Sequence, residues 1–509
     1  MAGDLFLRKR KVERAAFVDG AKRLAAILKN EGVQPDEPIA LLLRNDIVFL
    51  QAIEACRYVG ARYATLNWHG AHGELQHVLE DCGARVLLGH SDLLRPFAEA
   101  PPAGVALYAE PTPSEIADAY GVSSDIPPGC KSLPEALAAT GPTETAPLPF
   151  RGLMAYTSGS TGRPKGIRRK PRADGADQYD VYAGLARMFA KFEAGDHFYT
   201  SAPLYHSAPS ALSTMALAAG DVDIHIEPKF DPERFLADIE RYRITHAYIV
   251  PTMMVRMLKL PEAVKTKYDT SSWRFAVTTG SPFPKEIKAQ MIDWFGPIFW
   301  ESYGASEIGF MTLISSEEAM AKPGSVGKIM PGGSAKILDE NGEELPPGET
   351  GSIYVDLPMF GGFEYTNAEG DLSGQRYGAH ASVGDMGYLD EDGYLYISDR
   401  KKDMIISGGA NIFPAEIEAA LIQSPEVADC AVFGAPHAEF GEMIVAAVTA
   451  KPGAAPTLES VRAFLDGRIA RFKLPAKLDV HDALPREDSG KIFKQRLRAP
   501  YWEAAGRRV

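Results

Sequence analysis

Cysteine is scarce: Cys56, Cys82, Cys130 and Cys430 are the only four among 509 residues. They are too scattered for a metal motif and too few for a disulfide framework at this length, so reduced, mostly buried thiols are expected. The chain also lacks any run approaching the ~20 apolar residues that a spanning helix needs. Its first residues, Met1 to Arg14, are charged and have no apolar stretch of the secretory kind. Excess positive charge is missing too: a formal net charge of -13 argues against general affinity for nucleic acid or anionic membranes. These absences leave the expectation of a cytoplasmic, globular chain of enzyme size, with length for about three domains.

What is present concentrates in one stretch. Tyr156 to Gly166 reads Tyr-Thr-Ser-Gly-Ser-Thr-Gly-Arg-Pro-Lys-Gly. Leu153, Met154 and Ala155 before it suit the end of a buried strand, so the stretch would leave a sheet where α/β folds commonly bind ligands. Gly159, Gly162 and Gly166 would let the backbone come close to a ligand and offer N–H donors to an anion. Thr157, Ser158, Ser160 and Thr161 add hydroxyls, and Lys165 adds a mobile cation suited to a polyphosphate. Arg163-Pro164 after Gly162 excludes a Walker A loop, and a Gly/Ser surface linker is the plain alternative. Arg163, Lys165, Arg168, Arg169, Lys170 and Arg172 form a local basic cluster that is a candidate for steering ATP.

Phe17, Ala21, Leu24, Ala25 and Leu28 recur at helical spacing, with Gly32 as a stop. Ile39 to Leu43 then reads as a strand, Ile47 to Tyr58 and Leu75 to Cys82 as helices, and Ala84 to Leu88 as a strand. This exchange predicts βαβ units and a largely parallel sheet. Residues 98–149, rich in proline and small residues, read as an irregular surface stretch with at most a weak helix over Ser114 to Tyr120. His246 to Pro251 and Phe275 to Gly280 read as buried strands, the second entering the open turn Gly280-Ser281-Pro282. Gly324 to Gly351 reads as a small antiparallel β-subdomain.

Ile298 to Glu307, Ile-Phe-Trp-Glu-Ser-Tyr-Gly-Ala-Ser-Glu, runs from a buried strand through Ser302, Tyr303 and Gly304 into polar residues. Tyr303 is suited to stack on a purine, and Ser306 and Glu307 to reach a triphosphate and its magnesium, for which one carboxylate suffices. Asp385 accepts hydrogen bonds and suits both hydroxyls of a ribose, with Arg400 reinforcing the ribose or a phosphate. Asp399-Arg-Lys-Lys-Asp-Met-Ile-Ile406 passes abruptly from charged to apolar and marks a domain boundary. Pro414 opens a helix over Glu416 to Leu421. Val427 to Val432 and Ile444 to Thr449 read as strands, and Val461 to Ile469 as an amphipathic helix. Lys491, in Ser489-Gly490-Lys491, is a compact cation in a turn, where a lysine ordinarily serves solubility alone.

Taken in this order, the motifs resemble those of the adenylate-forming superfamily, and within it the AMP-forming acyl-CoA synthetases, over residues from about 20 to 498. The resemblance implies an α/β fold. A large N-terminal domain, 1–398, would hold mostly parallel sheets flanked by helices plus the β-subdomain. A hinge at 399–403 and a small mobile α+β domain at 404–509 would follow. His206, in Tyr205-His206-Ser207-Ala208, matches the position beside the acyl pocket, and no carboxylate stands there for an amino-acid ammonium. Gly280, Ser281 and Pro282 match the adenine-side turn. Tyr303-Gly304-Ala305-Ser306-Glu307 matches a motif that usually carries Thr where Ser306 stands. Asp385 and Arg400 match the ribose pair, Lys402 the hinge position and Lys491 the adenylation lysine. Gly408 and Gly409 would admit the phosphopantetheine arm of CoA.

The activity implied is ATP- and Mg2+-dependent activation of a hydrophobic monocarboxylic acid (fatty, aryl or sterol-derived) as acyl-AMP, then transfer to CoA. Thr157, His206, Glu307 and Lys491 would serve the chemistry. Loading of a separate carrier protein is one alternative, and a non-catalytic nucleotide sensor is another of a different class. The strand pair usual before Phe17 is expected to be missing, which marks that edge as a candidate homodimer contact.

Overall fold

The computed structural model describes residues 2–158, 164–172, 174–281, 283–366, 376–408, 410–486 and 492–505; the side chains of Thr157, Ser158 and Asn411 are also outside that description. The chain is α/β, and it divides into two compact units. The first comprises Met1–Gly280, Ile287–Met311 and Leu357–Asp371, and the second Ser281–Glu286, Thr312–Asp356 and Leu372–Val509.

Two sheets organise the first unit. One runs Phe299–Glu301, Phe275–Thr278, His246–Tyr248, His197–Thr200, Asp223–Ile226, Leu5–Leu7, Arg10–Val12, and is parallel throughout except for its last pair. The other runs Phe363–Tyr365, Pro164–Arg169, Leu153–Ser158, Arg62–Thr65, Pro38–Leu42, Val86–His90, Ala106–Glu110, Lys131–Ser132. Its strands from Leu153–Ser158 onward are parallel, and the first three pair antiparallel. Near-continuous burial of Pro38–Leu42 and Val86–His90 is what strands covered on both faces require. Val78, Leu79 and Cys82 of the helix His72–Cys82 join Ala40, Leu42, Ala64, Leu87 and Met154 in one apolar cluster. That packing fixes the helix beside the strand that enters the candidate phosphate loop.

In the second unit an antiparallel sheet joins Ser325–Ile329, Leu395–Arg400, Asp385–Leu389 and Gly351–Asp356, as the turn-rich pattern from Gly324 predicts. A further sheet is built on the long hairpin Val427–His437 with Gly441–Ala450. Alternation places Cys430 and Val432 in one core with Ile417, Leu421 and Val461, and Ala431 and Phe433 in another with Leu484 and Val445. Cys56, Cys82 and Cys430 are buried, Cys130 is half-buried, and all four thiols are free. No helix among the described residues is long and apolar enough to cross a membrane.

Several expectations are corrected. A hairpin, Leu5–Leu7 with Arg10–Val12, does precede Phe17, its first strand completing the parallel sheet beside Asp223–Ile226. Three-residue strands with charged Arg10 and Lys11 carry too little periodicity to read from sequence. Residues 98–149 are not irregular: they hold the strands Ala106–Glu110 and Lys131–Ser132 and the helices Ser114–Tyr120 and Leu133–Ala139. Of the prolines there, Pro113 immediately precedes the helix Ser114–Tyr120 and Pro134 sits in the first turn of Leu133–Ala139, where the missing N–H costs nothing. Pro251 likewise opens the helix Pro251–Leu258 and does not extend the strand His246–Tyr248. Ile469 falls beyond the helix Leu458–Leu465.

Candidate active site

The candidate phosphate loop joins antiparallel strands, Leu153–Ser158 and Pro164–Arg169, with Thr157 facing Lys165 and Ser158 facing Pro164 in register. Gly159, Ser160, Thr161, Gly162 and Arg163 lie outside the described residues. The stem below them is held from three sides. Tyr156 donates its hydroxyl to Asp81 of the helix His72–Cys82 at 2.6 Å, and Thr366 donates to the same carboxylate oxygen at 2.6 Å. Gly166 N–H donates to Thr366 Oγ1 at 3.2 Å, and Thr366 N–H returns a bond to the Gly166 carbonyl at 2.9 Å. His77 Nε2 lies 3.3 Å from the Pro164 carbonyl.

Gly166 itself is corrected from ligand approach to packing. A Cβ there would meet Thr366 Oγ1 at 2.7 Å and both Met154 and Tyr156 at 2.9 Å, so glycine is needed to let the stem close. In the basic cluster, Arg163 lies outside the described residues and three other members have acidic partners. Arg168 pairs with Asp36 at 3.2 Å, Lys170 with Glu364 at 3.5 Å, and Arg172 with Asp174, so these cations fasten the stem and its surroundings.

Arg169 does the most. Its guanidinium donates to the carbonyls of Ser306 at 3.0 Å, Glu307 at 3.3 Å and Ile308 at 3.4 Å, and it lies 5.4 Å from the centre of the Phe360 ring. Burial pulls its pKa down, yet arginine stays protonated, and the rigid fork suits several carbonyls at once. The second strand of the loop hairpin is thereby tied to the turn that carries Glu307. Sequence reasoning grouped Arg169 with its basic neighbours because its partners lie 137 to 139 positions away.

That turn begins where Phe275–Thr278 and Phe299–Glu301 end side by side, with Ser302 N–H donating to the Thr278 carbonyl at 3.0 Å. Gly304–Ala305 then pairs with Gly309–Phe310 so tightly that a Cβ on Gly304 would lie 2.4 Å from the Gly309 carbonyl oxygen. Only glycine allows this approach. Tyr303 is half-buried, its carbonyl accepting from Met311 N–H at 2.8 Å. Glu307 is half-buried and accepts a hydrogen bond from Tyr365 at 3.2 Å. Burial first, and then the charge of Glu307, push the Tyr365 phenol up, so it remains a donor. Tyr365 is a second site residue that sequence reasoning missed.

His206 immediately precedes the helix Ser207–Ala219, in extended backbone geometry, and its ring lies 4.2 Å from that of Tyr205. Pro209 falls in the first helical turn, where proline is tolerated, and Gly220 ends the helix in the left-handed region. The Ser207 hydroxyl lies 3.1 Å from that of Ser306, so the acyl-side string and the Glu307 string meet. Gly280, with φ +89°, follows its strand in open space; Pro282 lies outside the described residues.

In the second unit, Asp385 and Arg400 are register partners on adjacent strands and form an ion pair at 3.3 Å, with Asp385 buried and Arg400 partly exposed. Lys402 is exposed in the turn that follows. Gly408, with φ +57°, sits in the hairpin Ile405–Ser407 with Ala410–Ile412, its N–H donating to the Phe440 carbonyl at 2.9 Å. Gly409 and Lys491 lie outside the described residues. Close to Lys491 in sequence, Lys494 is anchored to Glu418 at 2.8 Å, and Ala415 N–H donates to Asp399 at 2.9 Å.

Comparison with known proteins places this geometry in a family. The AMP-binding enzyme family matches residues 8–362, and the AMP-binding enzyme C-terminal domain matches residues 416–491. The chain therefore belongs to the AMP-binding enzymes of the adenylate-forming superfamily, enzymes of the acid–thiol ligase class. An indoleacetate–CoA ligase of Aromatoleum aromaticum is 33% identical over 500 residues, covering 96% of this chain and 93% of its own. A fatty acid–acyl-carrier-protein ligase of Streptomyces coeruleorubidus is 31% identical over 499 residues, with coverage of 96% and 91%. The solved structure of o-succinylbenzoate coenzyme A synthetase from Bacillus subtilis with ATP and magnesium superimposes with a TM-score of 0.79 at 26% identity, over 97% of this chain and 96% of that one.

Proposed function

We propose that the protein uses ATP and Mg2+ to activate a hydrophobic monocarboxylic acid, fatty, aryl or sterol-derived, and passes the acyl group to coenzyme A. The observation that carries this reading is the fastening of Glu307 by Tyr365 and of its turn by Arg169, which sets a carboxylate beside the strand Pro164–Arg169 that leaves the candidate loop. Glu307 and the neighbouring Ser306 hydroxyl are oxygen donors of the kind Mg2+ takes. Bound there, Mg2+ would neutralise charge on the triphosphate.

In the first half-reaction a carboxylate oxygen attacks the α-phosphorus and pyrophosphate leaves, giving acyl-AMP. Thr157 to Lys165 hold the triphosphate, Tyr303 and the Gly280-Ser281-Pro282 turn hold the adenine, and Asp385 with Arg400 hold the ribose. Lys491 offsets the repulsion between carboxylate and α-phosphate. In the second, the CoA thiol loses its proton, attacks the acyl carbon and expels AMP, with Gly408 and Gly409 admitting the pantetheine arm. Lys402, within 399–403, is the hinge between domains 1–398 and 404–509 that alternates the two steps.

The apolar acid is supported by the strings around His206. Tyr248 and Met311 are buried, 4% and 0% exposed, and His206 to Pro209 bring no fixed charge for a second ionic group. A carrier-protein acceptor is the second reading, favoured by the Streptomyces relative that loads an acyl carrier. The test is pyrophosphate release across fatty, cinnamic, benzoic and sterol side-chain acids, with CoA or a pantetheinylated carrier, and products weighed by mass. Acid- and CoA-dependent acyl-CoA is expected; acyl-AMP discharged only by the carrier selects the second reading, and acid-independent ATP cleavage contradicts both.

A further inference from the structure

We propose that His197, Asp223 and His225 form a second metal site, for a borderline divalent ion such as Zn2+, away in sequence from every motif used above. The strands His197–Thr200 and Asp223–Ile226 are parallel neighbours with His197 opposite Asp223. His225 follows Asp223 by two residues, so strand alternation puts all three side chains on one face of the sheet. His197 Nδ1 lies 3.1 Å from His225 Nε2 and 3.5 Å from Asp223 Oδ2, and one ligand atom from each residue falls within 4.8 Å of the others. Tetrahedral zinc with nitrogen and oxygen ligands at ~2.0–2.2 Å requires ligand atoms ~3.3 Å apart.

The donor set also selects the ion. Two imidazoles and one carboxylate favour Zn2+, Co2+ or Ni2+ over Mg2+, in contrast to the oxygen set at Glu307. The ligands are oriented from outside. Asp4 N–H holds Asp223 Oδ1 at 2.7 Å, which leaves Oδ2 turned to His197. The Phe6 ring stacks on His225 at 4.5 Å and 5°, and the Tyr242 ring lies 4.9 Å from it. Such outer contacts fix ligand orientation at metal sites. The nearby Lys11 ammonium is engaged by Asp4 at 2.7 Å. With His197 and Asp223 side chains 28% and 26% exposed, an ion can enter, and water can take the fourth position. Bound there, the ion would clamp the two strands together and, through Asp4 and Phe6, secure the N-terminal hairpin.

A 3.1 Å separation also fits a hydrogen bond between two neutral imidazoles, and metal titration separates the two readings. Full-length protein freed of metal by a chelator is titrated with Co2+, read by visible absorption, and then with Zn2+ in competition. One equivalent of tetrahedral Co2+, displaced by Zn2+, is expected. His197→Gln and Asp223→Asn, chosen because both positions are partly exposed, should each weaken binding more than tenfold. Zn2+ should raise the thermal midpoint of the unaltered protein and of neither variant, while Mg2+-dependent pyrophosphate release stays the same in all three. Absence of saturable binding at one equivalent, or binding unchanged in His197→Gln, overturns the proposal and leaves a hydrogen-bonded trio.

Discussion

Glu307, in the turn between two short strands, and Asp385, the first residue of another, are both acidic, and the protein treats them in opposite ways. Asp385 is buried against a cation: Arg400 faces it across the ladder at 3.3 Å. Glu307 is half-buried against a neutral phenol at 3.2 Å, while the nearby guanidinium of Arg169 is spent on the carbonyls around it. A carboxylate whose charge is already balanced suits neutral hydroxyl donors such as those of a ribose. One that is positioned by a neutral donor suits a metal ion. The difference supports the proposal that Glu307 takes the Mg2+ and Asp385 the sugar.

Substitutions break this comparison at graded cost. Glu307→Gln removes the charge and keeps the Tyr365 contact in outline; adenylation should fall by ~10²- to 10³-fold, the range for losing a group that stabilises the transition state. Lys491→Ala should lose as much in adenylation and still convert supplied acyl-AMP to thioester. Equal loss of both steps would remove Lys491 from its proposed role. Arg169→Lys keeps the charge and loses the fork over three carbonyls, so a ~10- to 100-fold loss is expected, as for outer-shell partners of metal ligands. Steady-state pyrophosphate release against Mg2+ concentration reads it, the Mg2+ requirement rising with the defect. Tyr365→Phe deletes one hydrogen bond to a charged acceptor and should cost about tenfold in the same assay. Asp385→Asn is the smallest: KM for ATP should rise several-fold with the Mg2+ dependence unmoved. A shift in Mg2+ dependence there would erase the distinction between the two carboxylates.

The unequal legibility of these parts has a physical cause. Strands and helices with strong periodicity, such as Pro38–Leu42, Ile47–Val59 and His72–Cys82, are local statements and could be read where they stand. The same holds for Tyr303 to Glu307 and for the loop stem, whose composition is unusual over a short span. What holds these pieces is not local. Arg169 reaches 137 to 139 positions, Tyr365 reaches 58, and Thr366 reaches back 285 to Asp81. No spacing rule connects such residues before the sheets bring them together. Leu5–Leu7 and Lys131–Ser132 escaped for another reason: strands of three and two residues derive their order from neighbours already in the sheet.

The proposed activity requires a carboxylate oxygen to form a bond to the α-phosphorus of ATP, and isotope transfer tests that bond directly. With an accepted acid carrying 18O in its carboxylate, and CoA present, the AMP released is analysed by mass. One 18O atom in AMP and none in pyrophosphate is predicted, because the oxygen that attacks stays with AMP when the thiol displaces it. Label in inorganic phosphate with ADP as coproduct, or unlabelled AMP beside acyl-CoA, would contradict it.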